Sequence, residues 1–235
     1  MKIISVIIFC TLLALTCTAV SSVQKARPVP RRINKPDKRG YTPLMRAAER
    51  GQVNAVRALL KSGAEVDAKH FAGFTAMMLA ASKGQLQTVK ILLAAGANPN
   101  VSVVTPHAGT INPLIWAVLS DNKEVVEVLL KAGAEVNPQA TDGGTPLLFA
   151  VQSGETEIIK ILLGRGADVN AKMFNGYTAL MVAAEISDPE ITKVLIAAGA
   201  DVNARNDFGE TALSIATKMG NGGVVFTLRQ ARANE

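Results

Sequence analysis

The sequence predicts an all-α repeat solenoid of six stacked helix-turn-helix units, and three observations predict it. A Gly-Ala pair recurs at Gly63-Ala64, Gly96-Ala97, Gly133-Ala134, Gly166-Ala167 and Gly199-Ala200, with glycine spacings of 33, 37, 33 and 33. A second marker runs in phase with it: Thr42-Pro43-Leu44, Thr75-Ala76-Met77, Asn112-Pro113-Leu114, Thr145-Pro146-Leu147, Thr178-Ala179-Leu180 and Thr211-Ala212-Leu213. The composition is 49% hydrophobic but only 4% aromatic, which suits small helices packed closely rather than a β-sandwich.

The chain opens on a segment unlike the rest. Lys2 precedes an apolar run from Ile3 to Leu15 and then Cys17-Thr18-Ala19. That order is the pattern of a secretory signal peptide over residues 1–19, with cleavage expected after Ala19. Both cysteines, Cys10 and Cys17, lie inside it, so the mature chain has no disulfide or thiolate chemistry. Lys25, Arg27, Arg31 and Arg32 follow the apolar run closely, a balance that favours an uncleaved anchor by the positive-inside rule. A secreted or periplasmic protein is the expectation, and a membrane-anchored one the alternative.

Residues 20–36 read as a basic, Pro-containing linker. Residues 20–39 carry Lys25, Arg27, Arg31, Arg32, Lys35, Lys38 and Arg39 against Asp37, whereas residues 40–235 hold 17 basic and 18 acidic groups. The high pI of about 9.4 therefore belongs to an arm. A nucleic-acid-binding body needs a clustered basic surface, so that class is disfavoured. The arm and the N-terminal segment offer a route to membrane contact.

Within the first unit, Thr42 is placed to cap a helix with its hydroxyl, and Pro43 takes the first helical position. Ala47 and Ala48 let neighbouring helices approach, and Gly51 ends the helix. A second helix presents Val53, Val56, Leu59 and Leu60 on one face and ends at Gly63, before a turn at Phe71-Ala72-Gly73. One unit cannot bury that face alone, so neighbours must stack.

A unit of this length, with Thr-Pro-Leu-x-x-Ala and a later Leu-Leu-x-x-Gly-Ala, resembles the ankyrin repeat. The resemblance covers residues 37–235, with repeats near 37–69, 70–102, 103–139, 140–172, 173–205 and 206–235. The histidine that usually follows Thr-Pro-Leu in the family is replaced by Met45, Met78, Ile115, Leu148, Met181 and Ser214. This departure removes a local hydrogen-bond network and leaves the fold. Arg46 stands where the other units carry Leu79, Trp116, Phe149, Val182 and Ile215. Arg229 stands where they carry Leu60, Leu93, Leu130, Leu163 and Ile196. Polar groups at these slots read as end caps, with Leu93 and Leu163 as buried interior counterparts.

In ankyrin-like stacks, β-turn fingers and first helices line a concave groove that binds partners. The resemblance puts Tyr41, Phe71, Phe74, Phe174, Tyr177 and Phe208 on the fingers, with Leu119 and Ile186 on the first helices facing the same groove. Finger aromatics serve either as binding hot spots or as mutual stacking that stiffens the array. Trp116 reads as a core residue between units. The turn residues His70 and His107 read as local hydrogen-bonding groups. Four extra residues within Val101–Ile111 lengthen the third finger and read as a tolerated insertion. Asn100-Val101-Ser102 beside it is a glycosylation sequon.

No Walker A sequence, nucleophile elbow or His-Glu-x-x-His is present. The expected function is a non-catalytic, exported module that binds a protein partner through groove and fingers. No enzyme activity, cofactor, metal, small-molecule substrate or nucleic acid is expected, and the chain is taken as a monomer. Two alternatives stand beside it: an accessory factor supporting an envelope or periplasmic enzyme, and a secreted effector acting on host proteins.

Overall fold

The computed structural model describes residues 32–105, 109–138 and 143–232. The signal segment, most of the linker, His107 and the tip of the fourth finger lie outside the described residues. The repeat body runs as one unit from Arg32.

Twelve helices alternate by position within each repeat among the described residues. The first helices are α1 (Pro43–Glu49), α3 (Ala76–Ser82), α5 (Pro113–Leu119), α7 (Pro146–Gln152), α9 (Ala179–Glu185) and α11 (Ala212–Lys218). The second helices are α2 (Val53–Lys61), α4 (Leu86–Ala94), α6 (Lys123–Lys131), α8 (Thr156–Gly164), α10 (Pro189–Ala197) and α12 (Gly222–Gln230).

Every first helix starts as its sequence requires. Thr42, Thr75, Asn112, Thr145, Thr178 and Thr211 are buried, and each side-chain oxygen accepts the backbone N–H three residues on, at 2.8–3.4 Å. A helix N-terminus leaves donors without intrahelical partners, and this cap answers one of them. Two replacements of the family histidine also bond back. The Met45 sulfur accepts from the Thr42 N–H at 3.4 Å, and Ser214 Oγ accepts from the Thr211 N–H at 2.9 Å. The network expected to be lost thus survives at both ends of the array.

First helices pack against first helices from α1 to α11, with Ala47, Ala48, Ala80, Ala81, Ala117, Ala150, Ala183, Ala184 and Ala216 buried between them. Second helices flank them, and Leu92, Leu129, Leu162, Leu195 and Leu228 are buried. Full burial of one leucine contributes about 2 kcal/mol.

One expectation is corrected here. Leu93 and Leu163 are only half-buried, because in these two pairs the first leucine, Leu92 or Leu162, points into the core, whereas Leu129 and Leu130 are both buried. Arg46, at the slot read as an end cap, is held within the first repeat: its guanidinium bonds Asp37 at 3.0 Å, reaches Glu49 at 3.5 Å and lies 3.8 Å over the Tyr41 ring.

The insertion forms an antiparallel hairpin, β1 (Val103–Thr105) with β2 (Gly109–Ile111), pairing Val103 with Ile111. Strand alternation turns those two inward, onto Met78 and Ile115, and leaves Val104 exposed. It is fastened to the array by its own small core.

A second ladder joins the repeats along their loops. The Asn100, Asn137 and Asn170 side chains each donate to Gly133, Gly166 or Gly199 O and accept from the N–H of Glu135, Asp168 or Asp201. Asp67 accepts from Asn98 N, and Asn34 accepts from Glu65 N. Asn34 ties residues grouped by sequence with the linker onto the first repeat. The sequon asparagine, Asn100, has its amide engaged in this ladder.

Candidate protein-binding surface

Each described turn finger closes the same way. The N–H of Asp37, His70, Met173 or Asn206 donates to the carbonyl four residues on, at Tyr41, Phe74, Tyr177 or Glu210, over 2.8–3.0 Å. The residue before each acceptor is Gly40, Gly73, Gly176 or Gly209, all at positive φ. Only glycine takes that conformation without a Cβ clash.

This closure sorts the six finger aromatics. Tyr41, Phe74 and Tyr177 follow the glycine, sit at the finger base and are half-buried against the core. Phe71, Phe174 and Phe208 precede the glycine at the finger tip and are 78%, 65% and 67% exposed. Leu119 and Ile186, at the ends of their first helices, are 42% and 37% exposed. Sequence reasoning put all six aromatics on fingers and missed the split, although the glycine beside each one carried the signal.

Two recesses lie between fingers and first helices. One, of about 290 Å³, is lined by Tyr41, Glu49, Phe74, Met78, Leu79, Ser82, Lys83 and Trp116. The other, of about 400 Å³, lies between Leu148, Gln152, Phe174, Tyr177, Glu185 and Ile186. Trp116 is partly buried and packs 6.4 Å from Phe74, centroid to centroid. It therefore joins the core, as expected, and also forms a wall of the first recess.

His70 holds two fingers together. Its Nδ1 accepts from the Ala72 N–H at 3.1 Å, so its Nε2–H donates to Arg39 O at 2.6 Å. The ring is a turn lock in the Nε2–H tautomer, and it stacks 4.5 Å from Tyr41. Arg46 adds charge order at the same end. Backbone donors, Tyr41 first, and the Arg46 guanidinium hold the Asp37 carboxyl below its ordinary value. At the far end, Lys218 and Asn206 do the same for Glu210.

The chain belongs to the ankyrin-repeat family. The family model described as ankyrin repeats (3 copies) matches residues 14–103, 104–173 and 170–234. One similar solved structure is the ankyrin repeat domain of human ASB11: 29% identity, 83% of this chain and 85% of that one, TM-score 0.71. Another is a chain in the complex of Bd0816 predatory endopeptidase from Bdellovibrio bacteriovorus with immunity protein Bd3460. Its identity is 30%, over 83% of this chain and 99% of that one, with a TM-score of 0.73. No curated protein sequence matches the chain significantly. Ankyrin repeats are generally protein-interaction modules, and that is the class of this protein.

Proposed function

We propose that the chain is an exported, non-catalytic module that captures a protein partner across its finger tips and first helices. The observation that carries the reading is the exposure of Phe71, Phe174 and Phe208 above a core already filled by the base aromatics. Exposed aromatics are costly in water and become hot spots when covered. Leu119 and Ile186 extend the same apolar surface toward the helix ends. Export rests on the signal-like first 19 residues.

The test is capture of partners from the cell envelope by purified chain, with a Phe71→Ser/Phe174→Ser/Phe208→Ser variant beside it. The variant should melt as the parent does and lose the captured protein. Retained capture at equal folding would remove the finger tips from the reading. Mass spectrometry of the native protein tests export, and a mature start near Val20 is expected. An intact Met1 on membrane-bound protein that resists external protease would overturn it.

A second reading is favoured by one comparison. A chain of similar fold sits in a complex of an endopeptidase with an immunity protein. An envelope enzyme is accordingly the first partner to seek, with this chain as its accessory or restraining subunit.

A further inference from the structure

The basic charge that the sequence places ahead of the repeats continues onto the first two of them. Arg32 and Lys35 end the linker, Lys38, Arg39 and Lys69 belong to the first repeat, and Lys83 to the second. All six are exposed, and none has an ion-pair partner among the described residues. Arg46, beside them, is already matched by Asp37 and Glu49. Farther along the fingers and first helices, Lys172, Arg205 and Lys218 are offset by Glu185, Asp207 and Glu210. Carboxylates such as Glu124, Glu127, Glu157 and Glu190 sit instead on the second helices.

Two recesses meet inside this cationic end. One, of about 490 Å³, is lined by Arg32, Lys35, Pro36, Asp37, Tyr41, Pro43 and Arg46. The Phe74–Trp116 recess adjoins it, because Tyr41 lines both. Arg32 and Lys35 thus line one of the two recesses that share Tyr41, and Phe74, Met78, Leu79 and Trp116, with Glu49 and Lys83, line the other.

We propose that this end of the groove takes an acidic–apolar segment of a protein, its carboxylates against Arg32 and Lys35 and its adjacent apolar side chain in the Phe74–Trp116 recess. The inference rests on the groove reading above and adds the chemistry of the occupant. Opposite charge steers such a segment and fixes its direction, while the apolar recess supplies most of the affinity. A polyanion such as nucleic acid or heparin needs cations along a track. Here the excess stops after the second repeat, and the Phe74–Trp116 recess sets Tyr41, Phe74, Met78, Leu79 and Trp116 beside Glu49, Ser82 and Lys83.

Trp116 is the chain's sole tryptophan, which makes it a reporter inside the recess. The purified full chain is titrated with four labelled probes: a peptide of glutamates followed by Leu and Phe, the same peptide with lysines for glutamates, the glutamate peptide with Gly and Ser for its apolar residues, and a heparin oligosaccharide. The first peptide should bind, change Trp116 emission, and weaken roughly tenfold when salt is raised well above about 0.1 M. Arg32→Gln/Lys35→Gln should weaken it similarly while Lys25, Arg27 and Arg31 stay in place. Both substituted residues are exposed, and an unchanged melting curve verifies folding.

Equal binding of heparin or of the peptide without apolar residues, with Trp116 silent, would overturn the proposal in favour of a general polyanion site. Equal binding of the lysine peptide, or no binding by any probe, would also overturn it. Envelope capture that depends on Phe71, Phe174 and Phe208 would survive each of these failures, so the two readings fall separately.

Discussion

Thr88 is a fully buried residue whose hydroxyl has no hydrogen-bond partner among the described residues. The equivalent residues in later repeats are Val125, Ile158, Ile191 and Val224, all buried and apolar. Burying an unpaired hydroxyl costs on the order of 1 kcal/mol. Thr88→Val should therefore stabilise the protein by about 1 kcal/mol in urea unfolding, and a loss of stability would reveal a partner for the hydroxyl. A second residue-scale strain lies where first helices end. Gly51, Gly84, Gly154 and Gly220 take positive φ there, and Asp121 and Ser187 occupy the same slot at φ 50° and 66°. Each pays a left-handed cost that glycine avoids, so Ser187→Gly should add about 1 kcal/mol. Asp121→Gly should add that and more. Burial first, and then the hydrogen bond and charge of Asp121, raise the Glu155 pKa above its ordinary value. A carboxyl raised in the folded state binds more protons than when unfolded, so stability falls as pH climbs from the ordinary glutamate value through the raised one. Asp121→Gly should flatten that fall, while Ser187→Gly should leave its slope unchanged. Identical slopes in the two variants would remove the Asp121–Glu155 coupling.

At the scale of elements, the paired leucines of the second helices and the paired aromatics of the fingers pose one question: which member points inward. Both pairs were legible in sequence as apolar or aromatic repeats, and their direction was not. For the leucines, helical geometry sends adjacent residues about 100° apart, so Leu92 enters the core while Leu93 is turned partly out of it. Which one leaves depends on where α2 and α6 pack, and that contact lies a full repeat away. Leu92→Ala and Leu162→Ala should each cost about 2–5 kcal/mol, against about 1 kcal/mol for Leu93→Ala or Leu163→Ala. Urea midpoints check the ranking, and equal costs would contradict the burial. The fingers obey a rule that lies closer to the chain. An aromatic after the positive-φ glycine turns back to the base, and one before it stays at the tip, which separates Phe74 from Phe71 within four residues. The asparagine ladder kept the same period from Asn34 to Asn203 and was equally visible. Each asparagine meets its partner, thirty-odd residues on, only once the repeats have stacked.

Across the whole molecule, cohesion among the described residues runs from neighbour to neighbour. First helices stack in series, second helices do so beside them, and asparagine side chains stitch the loops. The period, the caps and the helix-ending glycines were legible because each is satisfied within one repeat. The basic run from Arg32 to Arg39 was legible too, but the recess beside it was not, because Tyr41, Phe74 and Trp116 line it from three successive repeats. In such an array stability is close to a sum of unit and interface contributions, so the place of a lesion decides how far it spreads. Leu129 lies in α6, with α4 and α8 packed on either side, whereas Leu228 lies in α12, which packs onto α10 and closes the array among the described residues. Leu129→Ala and Leu228→Ala remove the same buried leucine side chain and should carry similar local costs. Their reach should differ. Hydrogen exchange in Leu228→Ala should speed up within 212–230 and remain slow in the first four repeats, because a frayed end leaves the other interfaces intact. Exchange in Leu129→Ala should speed up in the third repeat and in both of its neighbours, since opening the centre breaks two interfaces at once. Uniform acceleration over the whole chain in both variants would mean that the six repeats unfold as a single cooperative unit, and the neighbour-to-neighbour account would fail.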